Sequence, residues 1–266
     1  MRVKDKYGPW AIIAGSAEGL GEAWTLSLAK RGLNLVMIDI QKEKMESLAN
    51  KINATYGIKT STLHLDLSDE DAADKIMEHC HDLDCGLLIY NAAYSRVKPF
   101  MQNREKDLRL YTGINIYSQL KLVNAFSARL IEENKPGGII LMSSLAGLIG
   151  MQLVTAYAAT KAFAWNLAEA LHYELKPHQI DVMACIAGAT ATPPYLATKP
   201  KYGKIKPQVM DPAAVSEEAI HKLGKKARHI CGLSNRINYF LLTRILPRKF
   251  ASGMANRVME KMYSDE

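Results

Sequence analysis

The sequence predicts an α/β fold: a doubly wound parallel sheet with helices on both faces, a lid and a helical C-terminal extension. Three observations predict it. Short apolar runs alternate with longer segments of helical pattern over the first 190 residues, the order expected of strand–helix–strand units. The runs are continuously apolar rather than alternating, which suits strands covered on both faces. The first run ends in a glycine-rich turn that opens a helix.

Taken in order, WAIIA (10–14), LNLVMI (33–38), TLHL (62–65), GLLIY (86–90), GIILM (138–142) and IDVMACI (180–186) read as strands. Helices are expected between them. One covers 20–31 with Gly32 to end it, and one covers 42–56, ending near Gly57. A third covers 69–79 with Ser68 as its N-cap. A long one over 104–133 stops before Pro136, and another over 155–175 stops before Pro177. Such repetition implies right-handed crossovers. Beyond residue 190 a Pro- and Lys-rich stretch reads as a lid over about 192–228, with a helix over 216–228. The extension over 233–266 is amphipathic and basic, and Pro247 interrupts it. It suits packing on the lid and core, a partner interface or peripheral contact with a membrane surface.

Composition narrows the function classes. With 48% hydrophobic and 23% charged residues, the chain can bury a core as ordinary soluble proteins do. No run reaches the ~18 apolar residues of a membrane span. The apolar stretch after the basic N-terminal segment breaks at Gly15 and Glu18, too soon for a secretory signal. Four scattered cysteines without a CxxC pair point to a reducing, cytoplasmic setting. The segment HCHDLDC (79–85) looks metal-like but lacks paired ligand spacing. It reads as a solvated helix end, and no metal is expected. The net charge of +7 is spread along the chain, which favours a basic surface over nucleic-acid binding.

The first turn carries glycines at 15, 19 and 21. Glycines there let the backbone bend sharply and approach a pyrophosphate at the positive end of a helix. Gly15, Ser16, Glu18, Gly19, Leu20 and Gly21 are thus candidate dinucleotide contacts. Asp39 stands 18 residues past Gly21, at the end of the second run. A carboxylate there accepts from ribose hydroxyls and repels a 2′-phosphate. Ile40 follows it where a base would favour NADP, and Lys42 and Lys44 are expected to face solvent, so NAD is preferred over NADP.

With these residues in place, the sequence resembles the short-chain dehydrogenase/reductase family over roughly residues 8–232. The likeness rests on the glycine turn, DLS (66–68), YNAAY (90–94), Asn115 in GINIYS, LMSSLAG (141–147), YAATK (157–161) and IAGATATP (186–193). The resemblance implies one Rossmann-type oxidoreductase domain over 1–266, a nicotinamide cofactor, and oxidation of alcohols or reduction of carbonyls. It also implies a homodimer or homotetramer built on the helices that hold Asn115 and Tyr157. By the same resemblance Tyr157 is the acid/base, Lys161 its partner, Ser144 the substrate-orienting hydroxyl and Asn115 the support of a proton-relay water. Ser144 is preferred to Ser143 because it stands thirteen residues before Tyr157, the family's usual spacing. Asp66 and Leu67 fall near the adenine. Asn91, Ala92 and Ala93 fall beside the cofactor, and Gly188, Thr190 and Thr192 near the nicotinamide. Three positions depart from the family pattern: Ala93 for glycine, Ala187 for proline and Ala14 for threonine.

Tyr157 and Lys161 are i and i+4, on one helical face and about 6 Å apart along the axis. A free phenol, with pKa about 10, is a poor base at neutral pH. A nearby ammonium and a positive nicotinamide ring both favour the phenolate, so the reading expects the Tyr157 pKa to be lowered. Ala158 and Ala159 keep the helix slim against a cofactor.

Substrate contacts are expected from Ser144, Leu145, Met151, Tyr157 and Tyr195. Together with the apolar tail they suggest a bulky apolar secondary alcohol or ketone, such as a steroid or bile acid. A 3-oxoacyl-type ketoreductase is the alternative enzyme, with Lys199, Lys201 and Lys204 as a docking patch. A catalytically silent nucleotide-sensing protein is the non-enzyme alternative, and the intact Ser144, Tyr157, Lys161 and Asn115 set stands against it.

Overall fold

The apolar runs assemble into one parallel sheet in the computed structural model, which describes residues 2–202 and 207–263. A short helix, α1 (Val3–Tyr7), leads into β1 (Trp10–Ala14), α2 (Leu20–Lys30), β2 (Asn34–Asp39), α3 (Lys42–Tyr56), β3 (Thr60–His64), α4 (Ala72–His79) and β4 (Cys85–Tyr90). There follow α5 (Glu105–Thr112), α6 (Ser118–Glu132), β5 (Gly137–Ser144), α7 (Thr155–Glu174), β6 (Ile180–Ala187), α8 (Pro193–Ala197) and α9 (Pro212–Ile220). The described chain ends with β7 (Arg228–Ile230), α10 (Leu233–Phe240) and α11 (Arg248–Tyr263).

The strand order is β3-β2-β1-β4-β5-β6-β7, every neighbour parallel. Build-up runs one way from β1 to β3 and the other way from β4 to β7. A crevice opens between the C-terminal ends of β1 and β4, where ligands bind in open α/β sheets. Two apolar layers cover the sheet. Trp24 and Leu28 of α2, Met45 and Ile52 of α3 and Val215 of α9 pack on one face. Ile76 of α4, Phe126 of α6 and Ala168 of α7 pack on the other. Each fully buried large side chain contributes on the order of 2–3 kcal/mol relative to exposure.

Several expected elements differ. The seventh strand, β7, was not expected; only three residues long, its RHI carries no apolar run. The helix expected over 216–228 starts earlier and ends sooner. Pro212 occupies its first turn, and the Asp211 carboxylate accepts from the Ala213 N–H at 2.7 Å. Gly224 then bends the chain at φ +76° before β7. Ser68 does not cap α4. Its N–H and hydroxyl both donate to Asp66 Oδ1, each at 2.8 Å, and the helix starts only at Ala72. The long helix expected over 104–133 is interrupted by a π-helical turn, Gly113–Tyr117. The 79–85 segment is not simply solvated: Cys80 and Cys85 are buried, while His81 and Asp82 form an exposed pair at 2.9 Å. All four cysteines are free. No described helix is long and apolar enough to cross a membrane.

The crevice depends on two backbones in close approach. Ala92 N–H and Asn91 N–H both donate to Ala14 O, at 2.8 and 3.0 Å, and the Asn91 side chain donates to Gly15 O at 2.7 Å. A Cβ on Gly21 would lie 1.9 Å from Gly15 O. Gly21→Ala is therefore expected to cost about 3 kcal/mol or more. Thermal unfolding should show a fall of about 10 °C in Tm.

Candidate active site

The glycine turn is shaped for a ligand that needs backbone amides. Gly15 has φ +81°, and a Cβ there would lie 2.8 Å from the Ala92 backbone. Gly19, at φ +62°, caps α2 with no side chain on its amides, so the positive helix end stays open. Ser16 is buried, its hydroxyl donating to Ile38 O at 3.3 Å. Leu20 packs against the core. A dinucleotide's pyrophosphate fits this cradle.

Asp39 is buried at the end of β2. Its Oδ2 accepts from the Ala17 N–H at 2.8 Å and its Oδ1 from the Gln41 N–H at 2.9 Å. Each oxygen keeps a second lone pair for a hydroxyl. Ile40 is exposed and offers no cation. Lys44 does not simply face solvent: it pairs with Glu18 on the glycine turn, because α3 runs back past that turn. Asp66 is engaged by Ser68, and Leu67 is buried. Ala93 is exposed and takes no left-handed backbone, so alanine replaces glycine there without strain.

A second cluster lies on the same sheet edge, at the end of β5 and on α7. Ser144 is the last residue of β5; its Oγ accepts from the Ala146 N–H at 3.2 Å, and its hydroxyl favours the ionised form of the Tyr157 phenol. Lys161 is buried one turn along α7, with Nζ donating to Met142 O at 2.8 Å and lying 5.7 Å from the centre of the Tyr157 ring. The expected lowering of the phenol is not what the protein alone produces. Burial raises Tyr157, Ser144 opposes the rise, and the Lys161 amine, turned to Met142 O, does not act on it. Burial instead pushes Lys161 itself down to about 8.

Asn115 sits buried in the π turn. Its Oδ1 accepts from Tyr94 N–H at 2.7 Å, and its Nδ2 donates to Tyr94 O and to Thr160 Oγ1, both at 3.0 Å. Thr160 Oγ1 in turn donates to Tyr157 O at 2.8 Å. Sequence reasoning passed over Thr160, although it lies inside the Tyr-Ala-Ala-Thr-Lys run. It also passed over Gly147, where a Cβ would meet Ala162 N and Lys161 C at 2.6 Å. That glycine lets the loop after Ser144 lie directly on α7.

The rim is formed by the loop after β5, the lid and the tail. Leu145 and Met151 are half-buried in that loop. Asn256 of α11 holds the loop, accepting from Gln152 N–H at 2.7 Å and from Gln152 Nε2 (through its backbone oxygen) at 2.9 Å, and donating to Gly150 O at 3.0 Å. Thr192 caps α8 through a 3.4 Å contact from Tyr195 N–H, and the Tyr195 hydroxyl meets that of Tyr202 at 2.8 Å. Lys201 N–H donates to Met262 O at 2.9 Å, tying lid to tail. Thr190 Oγ1 donates to Gly188 O at 3.0 Å, and a Cβ on Gly188 would lie 2.5 Å from the Asn235 side chain of α10. Tail packing, which only the structure reveals, thus reaches the turn after β6. Lys204, part of the suggested docking patch, lies outside the described residues.

In the folded chain Lys161 is charged below about 8, while the unfolded chain keeps its proton up to the ordinary 10.5. Its burial penalty is therefore full below about 8 and fades as pH rises towards 10.5. Lys161→Met is expected to raise stability at neutral pH by about 1–3 kcal/mol. That gain, measured as the difference in Tm from wild type, should shrink steadily in alkaline buffer.

A family model described as short chain dehydrogenase matches residues 9–201. The chain is 33% identical over 236 residues to a 7beta-hydroxysteroid dehydrogenase of Clostridium sardiniense, covering 89% of this chain and 90% of that one. It is 30% identical over 278 residues to a very-long-chain 3-oxoacyl-CoA reductase of Mus musculus, covering 97% and 85%. A solved structure concerned with 7beta-hydroxysteroid dehydrogenase stereoselectivity matches with a TM-score of 0.88 at 27% identity, over 96% of this chain and 99% of that one.

Proposed function

The chain belongs to the short-chain dehydrogenase family, NAD(P)-dependent oxidoreductases acting on CH–OH groups, and on that premise we propose that it interconverts a secondary alcohol and ketone on a bulky apolar molecule such as a hydroxysteroid or bile acid. The observation that carries the reading is the placing of Tyr157 and buried Lys161 one helical turn apart on α7, which packs against β5 where Ser144 ends it, on the sheet edge that holds the glycine turn. The steroid class is supported by the hydroxysteroid dehydrogenase relative and by the half-buried apolar side chains of Leu145 and Met151 at the rim.

The residues that would hold the cofactor are those of the glycine turn with Asp39, Asn91 and the 188–192 segment. Seated there, a nicotinamide supplies the hydride carrier. The Tyr157 phenolate takes the substrate's proton in oxidation, and the phenol so formed returns it to the carbonyl oxygen in reduction. Ser144, whose hydroxyl favours the phenolate, holds the same substrate oxygen. Lys161, released from Met142 O, brings a cation to offset the burial that raises the phenol. Asn115 and Thr160 fix the start of α7 through the bonds that end at Tyr157 O. Asp39 beside Ile40 supports NAD over NADP, since its carboxylate repels a 2′-phosphate and no base stands next to it.

The mouse relative favours a second reading, reduction of a 3-oxoacyl thioester. Hydroxysteroids, bile acids and 3-oxoacyl thioesters assayed side by side with both dinucleotides separate the two. We also read the chain as a homo-oligomer, supported by exposed Leu108, Tyr117 and Leu120 on the α5–α6 stretch and Tyr173 on α7; light scattering of the purified protein tests it.

Tyr157→Phe is expected to lower kcat by a factor of about 10²–10⁴ while leaving dinucleotide affinity within about threefold, as read by titration. Asp39→Ala combined with Ile40→Arg should shift the kcat/KM ratio towards NADP by about tenfold or more. An unchanged ratio would mean that Asp39 does not meet the ribose.

A further inference from the structure

We propose that the substrate bears an anionic end, and that a basic cavity beside the active site receives it. This deepens the reading of the chain as a dehydrogenase of bulky apolar substrates and rests on it. The cavity measures about 540 Å³, and its wall carries Arg96, Lys98, Arg104 and Lys106, with Tyr94 and Asp107 between them.

The charges on that wall do not cancel. Asp107 is its one acid, and it is fully engaged: Lys98 Nζ donates to it at 2.7 Å, Arg104 N–H at 2.9 Å, and the Tyr94 hydroxyl also donates to it. Neighbouring Glu105 is taken by Arg109 at 2.6 Å. Among the described residues no acid pairs with the Arg96, Arg104 or Lys106 side chain. The Arg96 guanidinium lies over the Tyr94 ring, 5.3 Å from its centre, which holds its planar donor fork in place.

The wall is joined to the catalytic helix. Tyr94 is bonded through its backbone to Asn115, Asn115 to Thr160, and Thr160 to Tyr157. Arg96 N–H donates at 3.1 Å to the hydroxyl of Tyr111, on α5, which packs against α7. Lys98 N–H donates to Leu153 O at 2.8 Å, on the loop after Ser144. An apolar rim next to uncompensated guanidinium and ammonium groups suits an amphipathic substrate, its carbonyl end at Tyr157 and its anion on the basic wall.

Two sources supply that chemistry: the side-chain carboxylate of a bile acid, or the phosphates of an acyl-CoA thioester. The test measures kcat/KM of the full chain with its dinucleotide on two matched pairs. One pair is a hydroxysteroid carboxylate and its methyl ester. The other is a 3-oxoacyl-CoA and the same acyl group on uncharged N-acetylcysteamine. The anionic member of one pair should win by about tenfold at low salt, and added salt should erode the preference. The pair that shows it identifies the source. In Arg96→Gln/Arg104→Gln, whose fold is checked by circular dichroism and Tm, the ratio should fall towards one. Turnover of both members of each pair at equal efficiency, or a ratio untouched in the double variant, overturns the subsite and leaves the dehydrogenase reading standing. No turnover of any of the four sinks the substrate reading and the subsite with it.

Discussion

The contact on which the rest depends is that of one backbone against another where β1 and β4 part. Gly15 lies against Ala92, Gly21 lies on the carbonyl of Gly15, and the Asn91 side chain caps that same carbonyl. No side chain fits between these strands' ends, so the turn cannot relax outward without losing all three contacts. Because the turn is held, α2 starts with no side chain capping its amides, and Asp39 is drawn in to accept from Ala17. The anion-binding character of the site thus follows from packing without side chains, and the helix end supplies its polarity.

The second centre obeys the opposite economy. Tyr157 and Lys161 are both placed where burial disfavours their charged forms: the phenol is raised and the amine brought down to about 8. The two shifts move apart an acid and a base that would differ little in water, and leave the amine the more acidic of the two. Ser144 is the one neighbour that already favours the phenolate, and Met142 O parks the amine nearby. Ionisation of the phenol is governed first by desolvation and then by the Ser144 hydroxyl, with the amine turned to Met142 O, where spacing alone would put the cation first.

What was legible in the sequence divides along physical lines. Six strands and the helices α2, α3 and α7 could be read, because buried apolar runs and the glycines and prolines that end them are local signals. The seventh strand, three residues with one histidine and one arginine, takes its place through pairing with β6 alone. The π turn at Asn115 is set by what Asn115 touches, Tyr94 and Thr160, neither of which periodicity reveals. The residues of the candidate site were named from motif, yet their electrostatics were not: burial of Lys161 on Met142 O depends on β5 lying beside α7. The tail was read as amphipathic, but its docking on the loop after β5 rests on Asn256, a polar residue with no pattern to announce it.

That docking has a kinetic side. The bonds between Asn256 and the 150–152 loop join neutral groups at exposed positions, and each contributes only about 0.5–1.5 kcal/mol. Such a latch breaks and reforms often, and ionic strength leaves it nearly indifferent. The order of the loop that follows Ser144 thus hangs on contacts independent of the ionisation at the phenol, so salt and pH that alter the chemistry leave this support of the rim in place.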